Sequence, residues 1–248
     1  MMYGLGGYGM GYGYGLDPTM ILVLIGAAIT MIASSRVNNT FKQYARVRSV
    51  TGMTGAEVAQ KLLNSQGIYD VTVRPVAGEL TDHYDPRTKT VNLSQVVYNQ
   101  ASVAALGVAA HECGHAIQDH VGYVPLKLRG SFVPVANIGS KLAWPMIVIG
   151  LILGGMNSFG IGYELMQLGI WAFSLAVLFQ LITLPVEFNA SHRAVTLLAS
   201  TGLLQQSEVN ETKKVLSAAA LTYVAAAASS ILQLLRLVIL FGGRRNRD

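Results

Sequence analysis

Four apolar blocks divide the chain, and the polar stretches between them carry nearly all of its charge. The first, residues 18–35, contains MILVLIGAAITMIAS with no charged residue inside it. About 17 residues of helix are just enough to cross the hydrocarbon core of a bilayer, so this block predicts a transmembrane helix. Arg36, Lys42, Arg46 and Arg48 follow it, whereas a signal peptide carries its positive charge in front. The charge rule then places these four residues in the cytoplasm and the N-terminus outside. Blocks 142–156 and 165–186 flank the link MNSFGIGYE, whose one charge is Glu164, and residues 142–186 read as a transmembrane hairpin turning on the outer side. The last block, 215–241, is Ala-rich, but Gln233 and Arg236 interrupt it, and Arg244, Arg245 and Arg247 follow in a basic tail, 242–248. A fourth span would put those arginines outside, against the charge rule; a buried or interfacial helix avoids the conflict, so both readings of this block stay open.

The polar stretches have their own periodicities. Within residues 36–141, TGAEVAQKLLNSQG repeats its apolar positions at helical spacing and ends at Gly67. YDVTVRPV and TKTVNLS read as two extended pieces separated by the turn-like TDHYDPRT around Asp85 and Pro86. From about Gln100 to His120, SVAALGVAAHECGHAIQDH reads as one helix, its glycines tolerated. After the hairpin, residues 187–214 form a second polar segment that opens with the helix-like EFNASHRAVTLLAS. Residues 1–17, almost entirely Gly, Tyr, Met and Leu, read as a tail too rich in glycine for a helix. The pattern predicts a mainly α-helical integral membrane protein with one small α/β domain.

Composition agrees with this. The chain is 52% hydrophobic and 12% charged, with a mean hydropathy of +0.43, against roughly 25% charged residues in an average soluble domain. Its net charge of +5 does not imply nucleic acid, because Lys and Arg gather beside the apolar blocks rather than in one basic stripe. The partner they imply is the lipid bilayer. Cys113 is the single cysteine, so there is no intrachain disulfide framework. It lies about 160° from the midline of the nearby histidine pair at roughly 100° per residue, which makes it a packing thiol rather than a ligand.

The candidate chemistry sits on the predicted helix before His120. In His111-Glu112-Cys113-Gly114-His115 the histidines are four residues apart, so a helix projects them from one face, one turn apart, where they can hold a single Zn²⁺. Glu112 beside them can take a proton from a metal-activated water that attacks a peptide carbonyl. A catalytic zinc takes a third protein ligand and keeps one position open. Asp119 lies one turn beyond His115 on the same helix, too far along the axis to close the site. His120 misses the six-residue spacing to a third histidine that metzincins use and reads as a surface residue. Glu187 passes a topological test: two spans separate it from His115, and an even number returns the chain to the same membrane side. The other reading of Glu187 is a cap or membrane-boundary acid after Pro185. Ser191, one turn after Glu187, can support a ligand from behind, while His192 points elsewhere on that helix and reads as a satisfied polar residue or a transition-state donor.

TGAEVA, LTDHYDPRTKTV, AAHECGHAIQD, LPVEFNAS and ALTYVAAA together resemble the YugP-type family of neutral zinc metallopeptidases, over nearly all the chain after the Gly/Tyr-rich tail. More distantly, the layout resembles HtpX and the CaaX-prenyl proteases, in which a histidine pair and a downstream glutamate bind zinc beside membrane helices. The resemblance implies a gluzincin-like zinc-peptidase domain, zinc ligands at His111, His115 and Glu187, and Glu112 as general base or acid. The HtpX-type pattern has an acid four residues after the glutamate; this chain has Ser191 there.

Peptidases of this type bind substrate backbone along an exposed strand edge, a role open to Thr88–Leu93. DHYDPRT reads equally as a hairpin turn with a solvated charge cluster, and His83 and Asp85 within it can approach the metal or the substrate. The expected activity is hydrolysis of peptide bonds in a protein or peptide substrate, on the cytoplasmic side of the plasma membrane. A membrane scaffold or chaperone-like protein with a structural or vestigial zinc site is the second reading; a transporter is a weaker third, because the spans carry little charge besides Arg236.

Overall fold

The computed structural model describes residues 17–154 and 160–242. The Gly/Tyr-rich tail up to residue 16, the middle of the hairpin link and the basic tail after Gly242 lie outside the described residues.

Four helices are long and apolar enough to cross a membrane: α1 (Met20–Tyr44), α5 (Val124–Ile152), α6 (Ile161–Ser200) and α7 (Gln206–Phe241). Their outward faces carry exposed Ile25, Met31, Trp144, Trp171 and Ile239, side chains that hydrocarbon accepts and water does not. α5 and α6 pack against one another along their length. A Cβ on Gly162 would lie 2.7 Å from the carbonyl oxygen of Gly150, so the two backbones touch there. α1 lies antiparallel against α7. Lys214 sits over the Tyr44 ring at 6.0 Å near one end, Gly26 backs onto Ser229 midway, and Arg236 Nη2 pairs with Asp17 Oδ2 at 3.3 Å near the other. The last apolar block is therefore one long helix of spanning length, and its one embedded arginine has a carboxylate partner.

The remaining elements gather at the end of the bundle where α1 stops and α7 starts. α2 (Gly55–Ser65) begins at a capping box, with Thr54 Oγ1 accepting from the Glu57 amide and Glu57 Oε2 accepting from the Thr54 amide. β1 (Thr72–Val76), β2 (His83–Asp85) and β3 (Thr90–Ser94) form a sheet in the order β1-β3-β2, with β1 parallel and β2 antiparallel to β3. This corrects the strand-edge expectation. The segment expected at the edge is the buried central strand, and the edges are β1 and β2, the latter inside what read as a turn. Asp82 draws the two together by accepting from the Ser94 amide at 2.7 Å and from its hydroxyl. Asp85 folds back onto Arg87 at 3.1 Å, and Lys89 closes the hairpin with a φ of 50°. A three-residue strand is too short to show an alternating pattern.

α3 (Gln95–Tyr98) leads to α4 (Val103–His120), whose first turn is capped by Ser102 Oγ accepting from the Ala105 amide at 3.2 Å. Fourteen of the 18 residues of α4 are buried, which makes it the central helix of this region. Leu62 of α2, Val91 and Leu93 of β3, Leu106 of α4 and Leu198 of α6 share one core. The end of the membrane hairpin is thus part of the same packed unit as the sheet. α6 runs unbroken through Pro185, where the sequence pattern ended one helix and began another at Glu187. Proline removes one backbone hydrogen bond, but Val186, Glu187, Ala190 and Ala194 are all buried, and α6 packs against α4. Tertiary packing holds the helix straight through, and the cap reading of Glu187 falls with it.

Candidate metal centre

α4 projects His111 and His115 from adjacent turns, their rings edge to face with centroids 4.8 Å apart and planes at 86°. Glu187 reaches them from α6. Its Oε2 lies 3.2 Å from His111 Nε2 and 3.6 Å from His115 Nε2, and its Oε1 accepts from Arg129 Nη1 of α5 at 2.8 Å. Gly114 allows this approach: a Cβ there would stand 2.6 Å from the Ala190 carbonyl oxygen, so α4 and α6 meet backbone to backbone beside the three side chains.

Hydrogen bonds behind the imidazoles orient them. Gln118 is fully buried and uses its amide nitrogen to donate to the Val186 carbonyl at 2.9 Å and to Asn189 Oδ1 at 3.0 Å. Its Oε1 is left to accept from His115 Nδ1 at 3.0 Å, which puts the His115 proton on Nδ1 and turns the Nε2 lone pair toward Glu187. Ser191 Oγ stands 3.1 Å from His111 Nδ1 and holds that ring in the same way. Two Nε2 atoms and one carboxylate oxygen therefore converge, all within 4.8 Å of one another. Ligands about 2.0–2.1 Å from a tetrahedral zinc stand about 3.3 Å apart, close to the 3.2 and 3.6 Å spacings of Glu187 Oε2. The donor set fits Zn²⁺.

Glu112 shares the cleft and is 7% exposed. Burial pushes its carboxyl up to about 7, with His111 pulling it down and Glu187 and Asp82 pushing it further up. The cleft has a volume of about 370 Å³, and His83 and Tyr84 of β2, Leu126 and Val133 of α5, and Tyr223 of α7 wall it. The free edge of β2 and the first turns of α5 border it.

The remaining sequence candidates fall in different places. His83 sits at the cleft wall, its Nδ1 donating to the Thr81 carbonyl at 2.7 Å and its Nε2 accepting from Asn92 at 3.3 Å. Asp85 is paired with Arg87 and does not line the cleft. His192 lines a separate groove with Phe188 and Leu216, so it is not brought to the metal group. His120 is exposed. Asp119 accepts from Lys89 Nζ at 2.6 Å and from the Tyr84 hydroxyl at 2.8 Å. Burial pushes its carboxyl up, but Lys89 and Tyr84 outweigh that and hold it below the usual aspartate value. Cys113 is fully buried with its Sγ 3.5 Å from the Ala59 carbonyl, and burial lifts the thiol well above its ordinary range. Sequence reasoning did not weigh Gln118, Arg129, Asn189, Tyr84 or Tyr223. Gln118 alone had a local signal, its three-residue spacing from His115 on a helix.

A family model described as "Putative neutral zinc metallopeptidase" matches residues 19–242. The chain belongs to this neutral zinc metallopeptidase family. It is also 45% identical over 229 residues to "Putative membrane protease YugP" of Bacillus subtilis (strain 168), covering 92% of this chain and 99% of that protein. No solved structure matches it. A zinc metallopeptidase needs nitrogen and oxygen donors around one point with room left for substrate. In this family member, His111, His115 and Glu187 are the one such group of three among the described residues, and they open onto the cleft.

Proposed function

We propose that the chain is a membrane-embedded zinc-dependent endopeptidase, with His111, His115 and Glu187 as metal ligands and Glu112 as general base. The convergence of the two Nε2 atoms and Glu187 Oε2 within 4.8 Å, beside a buried carboxyl in a cleft, carries the reading. Zinc, when bound, supplies Lewis-acid polarisation of the scissile carbonyl and acidifies water.

The protein's own groups do the rest. Glu112, buried in the cleft beside the three ligands, accepts the proton of the attacking water on its carboxylate and hands it to the departing amine. Gln118 and Ser191 keep the imidazole Nε2 atoms turned inward. Arg129 holds Glu187 Oε1, so that Oε2 alone faces the histidines. The free edge of β2, in place of Thr88–Leu93, binds substrate backbone, with His83 beside it. Arg36, Lys42, Arg46 and Arg48 favour a cytoplasmic position for the peptidase region in the plasma membrane.

Replacing Glu112 by Gln preserves shape and removes the base. Cleavage of an unfolded casein-type substrate by the purified protein should fall by a factor of about 10²–10⁴, with zinc content unchanged. Undiminished zinc-dependent cleavage would sink the mechanism. A wild-type protein that retains one zinc yet turns over nothing in a broad peptide library would favour the scaffold reading instead.

A further inference from the structure

Where α1 leaves its apolar run and α7 enters its own, the two helices enclose a groove of about 720 Å³. Arg36 of α1 and Lys213 and Lys214 of α7 line it, and no Asp or Glu does. Among the described residues, none of the three cations forms an ion pair. Lys214 instead lies over the Tyr44 ring, and Thr40, Gln43 and Asn210 add neutral hydrogen-bonding groups to the walls.

Lys213, Ser217 and Leu221, spaced one turn apart on α7, also border a second groove of about 590 Å³ between α6 and α7. Its walls are mainly apolar, with Phe188, Val195, Leu216 and Val224 among them. The two grooves thus meet along α7 at Lys213, Ser217 and Leu221, one carrying the cations and the other mainly apolar. That combination matches the headgroup and chain of an anionic lipid, and a cluster of cations beside a spanning helix is drawn to such headgroups.

We propose that this groove seats one anionic phospholipid, its phosphate among Arg36, Lys213 and Lys214 and an acyl chain along the α6–α7 wall. Ser191, which holds His111, lines the same apolar groove, so the lipid occupies the outer side of the helix that supports the metal centre. Lipid retention does not depend on turnover, and the proposal stands apart from the peptidase reading.

The test is native mass spectrometry of the full-length protein released from nanodiscs of equal phosphatidylcholine and phosphatidylglycerol. The wild type should retain one phosphatidylglycerol, and affinity should fall about five-fold for each cation removed in Arg36→Gln, Lys213→Gln and Lys214→Gln. Lys42→Gln removes a cation near the same boundary but outside the groove and should leave retention intact. K213R/K214R should retain the lipid, separating lost charge from lost folding. Equal retention of phosphatidylcholine, or a loss in Lys42→Gln as large as in Lys213→Gln, overturns the proposal in favour of a diffuse surface field. Displacement of the lipid by millimolar inorganic phosphate overturns it in favour of a soluble phosphate ligand.

Discussion

Gly114→Ala adds one methyl group between the helices that carry the proposed metal ligands. The new Cβ would lie 2.6 Å from the Ala190 carbonyl oxygen and 3.1 Å from its Cα and carbonyl carbon, all backbone atoms that no rotamer change can clear. Reaching an ordinary contact near 3.4 Å requires α4 and α6 to part by about 0.8 Å at this level. Glu187 and Ser191 flank Ala190 on α6, while His111 and His115 flank Gly114 on α4, so the separation falls on the ligands and on the Ser191–His111 hydrogen bond. Overpacking costs about 1–3 kcal/mol of stability, and a ligand displaced by about 1 Å costs about 10²-fold in rate.

Gly107→Ala is the matched control. It lies two turns earlier on α4, and its Cβ would meet one methyl group, Thr212 Cγ2, at 2.8 Å, with every other Thr212 atom at 3.8 Å or beyond and no backbone atom among its nearest contacts. Zinc affinity by competition with a chelator, thermal unfolding by circular dichroism and peptide cleavage should be measured on both variants. Gly114→Ala should lose zinc affinity and activity by about 10²-fold, and Gly107→Ala should show at most a modest fall in melting temperature. Gly114→Ala with wild-type zinc affinity and activity refutes the claim that this helix contact sets the site.

Three further expectations follow from hydrogen bonding and burial. Gln118→Met keeps the volume but removes the acceptor on His115 Nδ1, and zinc affinity should weaken about 10–100-fold by chelator competition; unchanged affinity would show that packing alone orients the ring. Asp119 has a folded-state value lowered from 3.8, so its contribution to stability is present above that pH and vanishes as the pH falls through the lowered value. Asp119→Asn should therefore lower the melting temperature at pH 7 and match the wild type in strong acid, and a deficit that persists in acid contradicts the ion-pair account. Cys113 should resist a maleimide in the native protein and react on denaturation, since it is fully buried with its thiol value raised; fast native labelling would show that α4 opens toward α2.

What the sequence revealed divides by the range of the interaction. α2, β1, β3 and α4 follow from periodicity, caps and turns within a dozen residues of each element, and the structure contains all four. α5 begins at Val124, well before the apolar block at residue 142, because its first turns border the cleft and carry Lys127 and Arg129. A hydropathy window reads such a stretch as a loop. Pro185 misled in the opposite direction, because its local meaning as a helix breaker is overruled by the packing of α6 on α4.

The same division runs through the candidate site. His111, Glu112 and His115 sit within five consecutive residues, so helical geometry alone groups them. Glu187 is 76 residues from His111, and counting membrane crossings was enough to put it on the right side without giving a distance. Ser191 then followed from the spacing of one helical turn. Arg129 had no comparable argument: its partner is 58 residues away, and an arginine near the start of a membrane helix ordinarily reads as a boundary anchor. Topological parity decides which side of a bilayer a residue occupies, but not which of the charges gathered there will touch. That selection comes from the close contact of α4 with α6 at Gly114 and Ala190, which leaves Glu187 Oε2 facing the histidines and Oε1 facing α5.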